Sequence, residues 1–462
     1  MKARWARWSC AAIAAAWGAA ALYYATRELP AGMRLASPAQ ILAAGNVTFL
    51  DDITGADAYG HGFSTHSIFD AMLRIIGAAR GLVVLDCHLC TDRYRNAPDT
   101  VATLTPMGAQ LTAALLARKT ALPGLQVLVI ADPLNGLYGS APPAQFAQLR
   151  AAGIQVLTAD LTRLRDRNVL YSPLSAHAWA QLANLKSSDR RVLIADDGHG
   201  ALVALAGSAE PAMANSIDSV TALEVRGPAV APLLGSELQL ARSFGWDGSI
   251  AAPAATPAPV APDAAEVLKF QWLGEGAIRD ALLSHIDATG SADTIDIASE
   301  SLSERATIAA LLAASRRGVT VRLILDPHKS SSLWSSANQS VASELIAASD
   351  GRIHVAWYRT HSERFRAALV LIHGSGPTWL LTGSASLTRR DLGDYDLALD
   401  AALAGAAGAV PLLGAQQFFD TLWNDRGPPG IEYTADADTW TDPSQLRYWA
   451  YRLMELLGIS RT

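Results

Sequence analysis

The residues that could do chemistry fall into two matching stretches. The longer reads Arg359-Thr-His-Ser-Glu-Arg-Phe-Arg366, then an apolar run from Ala367 to Ile372 and, after a turn, Gly383-Ser-Ala-Ser-Leu-Thr-Arg-Arg390. A shorter copy in the first half reads Asp189-Arg-Arg-Val-Leu-Ile-Ala-Asp196, followed by Gly207-Ser-Ala-Glu210. Arg191, Arg364 and Arg366 are forked donors suited to phosphate oxygens, and Ser208, Ser384 and Ser386 add hydroxyls. Asp189, Asp196, Glu210 and Glu363 interleave with them. Two chemistries are open: an oxyanion held by guanidiniums and hydroxyls, or ion pairs between arginines and acids that replace a ligand. His361 and His373 are nearby groups whose protons move near neutral pH.

Such a site needs a scaffold that brings strand ends together. Val47–Asp51 reads as a short strand and Ser67–Gly77 as a helix capped by Thr65 or Ser67, followed by a buried strand at Leu82–Asp86. Leu111–Leu116 sits in a helix, Leu125–Asp132 is a strand, and the alternation continues through Phe146–Ala152 to Ile154–Leu157. It restarts beyond the middle of the chain: helices at Ile278–Ile286 and Ala306–Arg316, strands at Thr294–Ala298 and Val319–Asp326. Asp326-Pro327 repeats Asp132-Pro133 at the same strand end, so a whole half-domain is duplicated. Strands separated by helices predict α/β halves, each a mostly parallel mixed sheet flanked by helices on both faces. A Pro/Ala segment, residues 250–264, is a semi-rigid linker between a first half at 40–249 and a second at 265–462.

The 462 residues are half hydrophobic, enough for two large cores, and carry a formal net charge of −6 with only five lysines. Phosphate backbones demand clustered Lys and Arg, so specific nucleic-acid binding is not expected. At the N-terminus Lys2, Arg4 and Arg7 precede an apolar run to Tyr24. A basic flank before such a run reads as a signal anchor over residues 1–28, with the globular part extracytoplasmic; the alternative is secretion after signal cleavage.

The segments Asp132-Pro-Leu-Asn-Gly-Leu-Tyr-Gly-Ser140, Leu161–Asn168, Thr294–Ser303 and Leu381–Arg390 with Asp394-Tyr395 occur in this order. On these the chain resembles the phospholipase D superfamily, in the branch of bacterial phospholipase and cardiolipin-synthase-like proteins. The resemblance implies two homologous halves packed around one shared pseudo-twofold site, without a cofactor, on the periplasmic side of a bacterial inner membrane. Members carry two His-x-Lys-x-x-x-x-Asp motifs, in which one His attacks phosphorus and the other protonates the leaving alcohol. Carried over by position, Asp189, Arg191 and Asp196 fill the first motif, followed by Ser208 and Glu210. Arg366, Ala368 and His373 fill the second, followed by Ser384 and Ser386. No His-x-Lys pattern occurs in the sequence. The resemblance therefore implies a catalytically degenerate relative that binds a phosphodiester, a phospholipid headgroup or a protein partner. The alternative is a phosphodiesterase or phosphatidyltransferase using His361 or His373 in a non-standard way.

Two further stretches could matter. Asp86-Cys-His-Leu-Cys90 stands without a second Cys pair, so no metal is expected; residues three apart in a strand point to opposite faces, which favours two half-buried thiols over a disulfide. Leu446–Leu457 is an aromatic amphipathic helix with Arg447 and Arg452, suited to packing on the domain or to lying on a membrane surface.

Overall fold

The computed structural model describes residues 2–457 except 31, 58, 93–102, 140–142, 169–171, 175–183, 185, 251–266, 328–336, 441 and 443. The Pro/Ala segment from Ala251 to Pro262 and Ser140 therefore lie outside the described residues.

The first half forms a seven-stranded sheet in the order β2 (Val47–Asp52), β11 (Val220–Arg226), β10 (Leu202–Gly207), β9 (Val192–Asp196), β5 (Leu82–Cys87), β6 (Gln126–Ala131), β7 (Gln155–Thr158). The second half repeats it as β12 (Val267–Gly274), β18 (Leu397–Gly405), β17 (Thr378–Gly383), β16 (Ala368–His373), β13 (Thr294–Ser299), β14 (Thr320–Leu325), β15 (Ile353–Tyr358). Its edges are extended by β1 (Gln40–Ala43) and β19 (Thr434–Asp436). A two-stranded hairpin of β3 (Thr54–Ala56) and β4 (Gly62–Ser64) stands apart, and β8 (Ser188–Asp189) pairs with β18.

The sheets are mixed and flanked by helices, as expected, with antiparallel pairings in the majority. Apart from the short β8–β18 pairing, parallel order between strands is confined to β5–β6–β7 and β13–β14–β15. There crossover helices join successive strands: α3 (Met107–Ala121) and α4 (Ala144–Ala151) in one half, α7 (Arg305–Arg316) and α8 (Asn338–Ala348) in the other. The motif strands β9 and β16 instead turn back through short connections into β10 and β17 and pair antiparallel.

Helix α2 (Ser67–Ala78) begins after His66 and has no side-chain cap of its own. The Asp52 carboxylate, at the end of β2, accepts from the Ser67 and Ile68 amides, so the cap comes from across the fold rather than from Thr65 or Ser67.

Both sheets face one another across a shared inner core, with Leu128, Ile130, Ile194 and Leu223 on one side and Phe270, Trp272, Leu371, Leu380 and Leu399 on the other. The outer faces are covered by α2 and α3 (Ile75, Ile76, Leu111, Leu115) and by α6 (Gly276–Asp287), α7 and α8 (Ile278, Ile308, Leu311, Val341). Remaining helices are α5 (Ala231–Ser243), the short α9 (Arg389–Leu392), α10 (Val410–Trp423) and α11 (Gln445–Leu457). The N-terminal helix α1 (Lys2–Thr26) contains an apolar stretch, Trp8–Thr26, long enough to cross a membrane.

Candidate functional site

Matching hydrogen bonds place the motif starts in both halves. Asp132, after β6, accepts the Ser188 amide at 2.7 Å; Asp326, after β14, accepts the Phe365 amide at 2.8 Å. Each aspartate thus fixes the residue just before the first motif position. Asn135 bridges the carbonyls of His88 and Asp132 and the Cys90 amide, and Asn338 does the same for Glu300, Asp326 and Leu302. Asp218 and Asp396 complete the set, holding the Arg364 and Ser187 amides. The motif starts cross between halves: Phe365 bridges Ser219 before β11, and Ser188 pairs with Leu397 in β18.

Glycine in each Gly-Ser-Ala triplet is demanded by close backbone approach. A Cβ on Gly207 would lie 2.4 Å from the Thr221 carbonyl oxygen, and one on Gly383 2.2 Å from that of Leu399.

At the centre stands Glu210. Its Oε1 lies 2.6 Å from Arg366 Nη2, 2.8 Å from His88 Nδ1 and 3.2 Å from Arg191 Nη2. Arg191 also holds Asp189 through Nε and Nη2 at 2.5 and 2.7 Å and donates to the Ser208 carbonyl, at a left-handed φ of 50° that costs a non-glycine residue strain. Asp218 and Glu300 lie 3.8 and 3.4 Å from the Arg366 guanidinium. Burial pushes the Glu210 carboxyl up, but Arg366, Arg191 and His88 outweigh it and hold it well below the usual range. Burial alone would lower His88; Asp189 and Glu210 reverse that and push it up to about 9. Arg366, despite burial, is raised further by Glu210, Glu300 and Asp218.

These groups leave little space between them. Two voids touching Glu210 measure about 20 and 10 Å³, room for roughly one water each. His88, Asp189 and Glu210 have ligand atoms within 4.8 Å of one another, a spacing a cation could use. The same Glu210 oxygen already meets two guanidiniums, so a cation there would face repulsion from Arg191 and Arg366.

The sequence-predicted residues divide. Asp189, Arg191, Glu210 and Arg366 converge. Asp196 lies at the far end of β9, where burial would raise it but the amides of Leu82, Arg80, Gly81 and Gly198 hold its carboxyl low. His373 lies at the far end of β16, 2.9 Å from Asp296. The hydroxyls of Ser208 and Ser384 accept from the Thr221 and Leu399 amides and so knit neighbouring strands. Ser386 is held through its backbone amide by Asp391. His361 and Glu363 pair with each other, and Arg364, half exposed, reaches Glu300 at 3.4 Å. His88, Asp218 and Glu300 were missed; the only signal for the first was its place after a buried strand. Cys87 and Cys90 form a disulfide, because β5 ends at Cys87 and the chain turns back, bringing their Cα atoms to 6.0 Å.

The His88 charge makes a stability prediction. Its folded value of about 9 lies above the ordinary 6.5. Its contribution is therefore complete below about pH 6.5 and is lost as pH rises through 9, on the order of 3 kcal/mol. Urea midpoints should fall between pH 7 and 9.5, and His88→Gln should flatten that slope; an unchanged slope would count against the assignment.

Residues 282–404 match the family described as "Cardiolipin synthase, PLD-like domain". Phosphatidylserine synthase from Haemophilus influenzae Rd KW20 aligns over 91% of this chain and 97% of its own, with TM-score 0.55 at 10% identity. Residues 282–404 thus carry a phospholipase D-like domain, and the chain as a whole shares the fold of that synthase. Weaker likenesses reach polyphosphate kinase from Porphyromonas gingivalis (TM-score 0.47, 13% identity, 85% of this chain and 51% of that one) and the phospholipase D family member Nuc from Salmonella typhimurium (0.26, 22%, 34% and 93%). No curated protein matches this sequence. Here Asp189 and Arg366 face each other across the halves, joined through Glu210 and Arg191.

Proposed function

We propose that this is a membrane-tethered phospholipase D-like protein that does not turn over phosphodiesters, its shared site having become an ion-pair core that locks the halves together. The observation that carries this is Arg366. It occupies the position of a motif histidine, is 6% exposed, and spends its guanidinium on Glu210. An arginine stays protonated and cannot attack phosphorus. His88, the histidine brought to the cluster, is held as a cation at neutral pH and is no nucleophile there either.

The apolar stretch of α1 supports an anchor, and the Cys87–Cys90 disulfide suits the oxidising side of that membrane, the periplasm of a bacterium. The domain division at the Pro/Ala segment belongs to the same proposal, with residues 40–43 crossing to the second sheet as an edge strand.

Full-length protein incubated with bis(4-nitrophenyl) phosphate, and separately with phosphatidylglycerol, should release no product above buffer. Turnover that disappears on His88→Asn, or on His361→Ala or His373→Ala, would reinstate the enzyme.

A further inference from the structure

A cavity of about 480 Å³, sharing no lining residue with the Glu210 cluster, lies where the segment after α1, the loop following α9 and helix α11 meet. Arg34, Arg165, Arg279, Arg305, Arg389 and Arg452 line it, against three acids. Two of those acids are already engaged. Asp394 takes Arg165 at 2.6 Å, Arg34 at 3.3 Å and the Gly276 amide, and Glu304 caps α7 through the Thr307 amide and hydroxyl. The third, Glu455, is buried; burial lifts its carboxyl above the usual range, with Arg167 and Arg389 opposing the rise. Arg34 and Arg279 also approach Asp280, and Arg305 is paired with Glu344. Arg389 and Arg452 meet neutral oxygens: Arg389 donates to the Glu455 carbonyl, Arg452 to the Tyr448 hydroxyl, and they lie over the Tyr395 and Tyr448 rings. Their remaining N–H groups suit an anion.

The cavity stands beside apolar surface of two kinds. Arg165 donates from Nε to the carbonyl of Arg27, the residue that follows α1, and the Asp166 amide bonds Tyr24 within that helix. Helix α11, which supplies Arg452, packs Tyr451 into the second half's outer core and buries Met454. Its other face leaves Leu446, Trp449, Leu453 and Leu456 between 56% and 74% exposed, at spacings of three, four and three residues. An apolar helical stripe carrying a tryptophan beside arginines is the composition of a segment lying in a membrane interface.

We propose that this cavity binds the headgroup phosphate of an anionic phospholipid from the leaflet at which α1 ends, with the acyl chains along the Leu446–Trp449–Leu453–Leu456 face. The inference rests on α1 being a membrane anchor. The pocket is separate from the Glu210 cluster, so headgroup binding needs none of the lost catalytic groups.

The test uses full-length protein in neutral detergent, with equimolar phosphatidylglycerol and phosphatidylcholine, and counts retained lipid by native mass spectrometry. A roughly tenfold preference for phosphatidylglycerol is expected, equivalent to about 1.4 kcal/mol. Arg389→Gln/Arg452→Gln should abolish the preference. Arg452→Gln alone, which removes a bond to the Tyr448 hydroxyl and a contact with the same ring, should reduce it without disturbing the helix end that Arg389 holds. Trp449→Ser/Leu453→Ser should lower retention of both lipids. Equal retention by wild type, or a preference that survives in the double arginine variant, overturns the proposal. Competition by inorganic phosphate as strong as that by phosphatidylglycerol would make this a soluble-anion site and overturn it too. Carbonate extraction of membranes tests the anchor by itself: release into the supernatant overturns the anchor reading, whereas retention with no lipid preference overturns only the headgroup site.

Discussion

Glu210→Ala is expected to destabilise the protein by about 3–5 kcal/mol, the range for a buried charge left without its partner. Its carboxylate, 4% exposed, is the common acceptor for Arg366, Arg191 and His88. Without it three cations from both halves face one another in a space with almost no water. The remaining acids offset this only partly: Asp189 is held by Arg191, and Asp218 and Glu300 stand 3.8 and 3.4 Å from Arg366. Guanidinium chloride denaturation measures the loss, and a change below about 1 kcal/mol would mean the cluster contributes little. The same variant tests the functional claim. If two guanidiniums stand where the phosphodiester once bound, removing Glu210 should create an anion site. Phosphate at ten times its dissociation constant should then restore about 1.4 kcal/mol in Glu210→Ala and nothing in the wild type. An equal response in both proteins would show that the wild-type site already accepts phosphate.

What the sequence discloses about this site follows from locality. Asp132-Pro133 and Asp326-Pro327 announce equivalent strand ends, and the structure gives the two aspartates the same task. Gly207-Ser208 and Gly383-Ser384 announce a close approach of backbones, which is also found. The seven-residue spacing of each motif carried a warning as well. A strand advances roughly 3.3 Å per residue, so five or six residues of β9 or β16 put Asp196 and His373 some 15 Å from the motif starts. Of the partners of Arg366, Glu210 was legible in the Gly-Ser-Ala-Glu stretch, whereas Asp218 and Glu300 were hidden because they arrive from elements distant in sequence, before β11 and after β13. His88 takes the place in its half that Glu300 takes in the other, a correspondence visible only through the matching Asn135 and Asn338 bonds. The disulfide was misjudged because the pleat argument holds only within a strand, and β5 stops at the first cysteine.

Arg190→Met should cost as much as Glu210→Ala, and its pH dependence should identify the cause. Arg190 lies between two motif residues yet points elsewhere, into the deepest polar cluster of the interface. Its guanidinium, 0% exposed, donates to Glu275 at 2.9 and 3.1 Å, to Glu237 and Ser236 at 3.1 Å and to the Gly32 carbonyl at 2.9 Å. One side chain of the first half thus ties α5, the segment after α1 and the start of α6 together. Glu275 itself sits at a left-handed φ of 51°, a strained conformation that the surrounding bonds must hold. Burial already lifts the Glu275 carboxyl above its usual range, with Arg190 opposing, and burial together with Glu237 lifts the adjacent Asp86 further. Methionine fills the stem's volume but cancels no charge, so these carboxyls must protonate or remain buried and uncompensated. Their folded values would rise further above the unfolded ones. Such a rise costs little at low pH, where both states are protonated, and its cost grows as pH climbs through the unfolded value. The expected loss is therefore about 3–5 kcal/mol near pH 8 and clearly smaller near pH 5, measured from denaturation midpoints at both. Equal losses at the two pH values would assign Arg190 a packing role. A larger loss at pH 8 would make the residue between the motif positions an electrostatic clamp of the interface, holding the two halves in register.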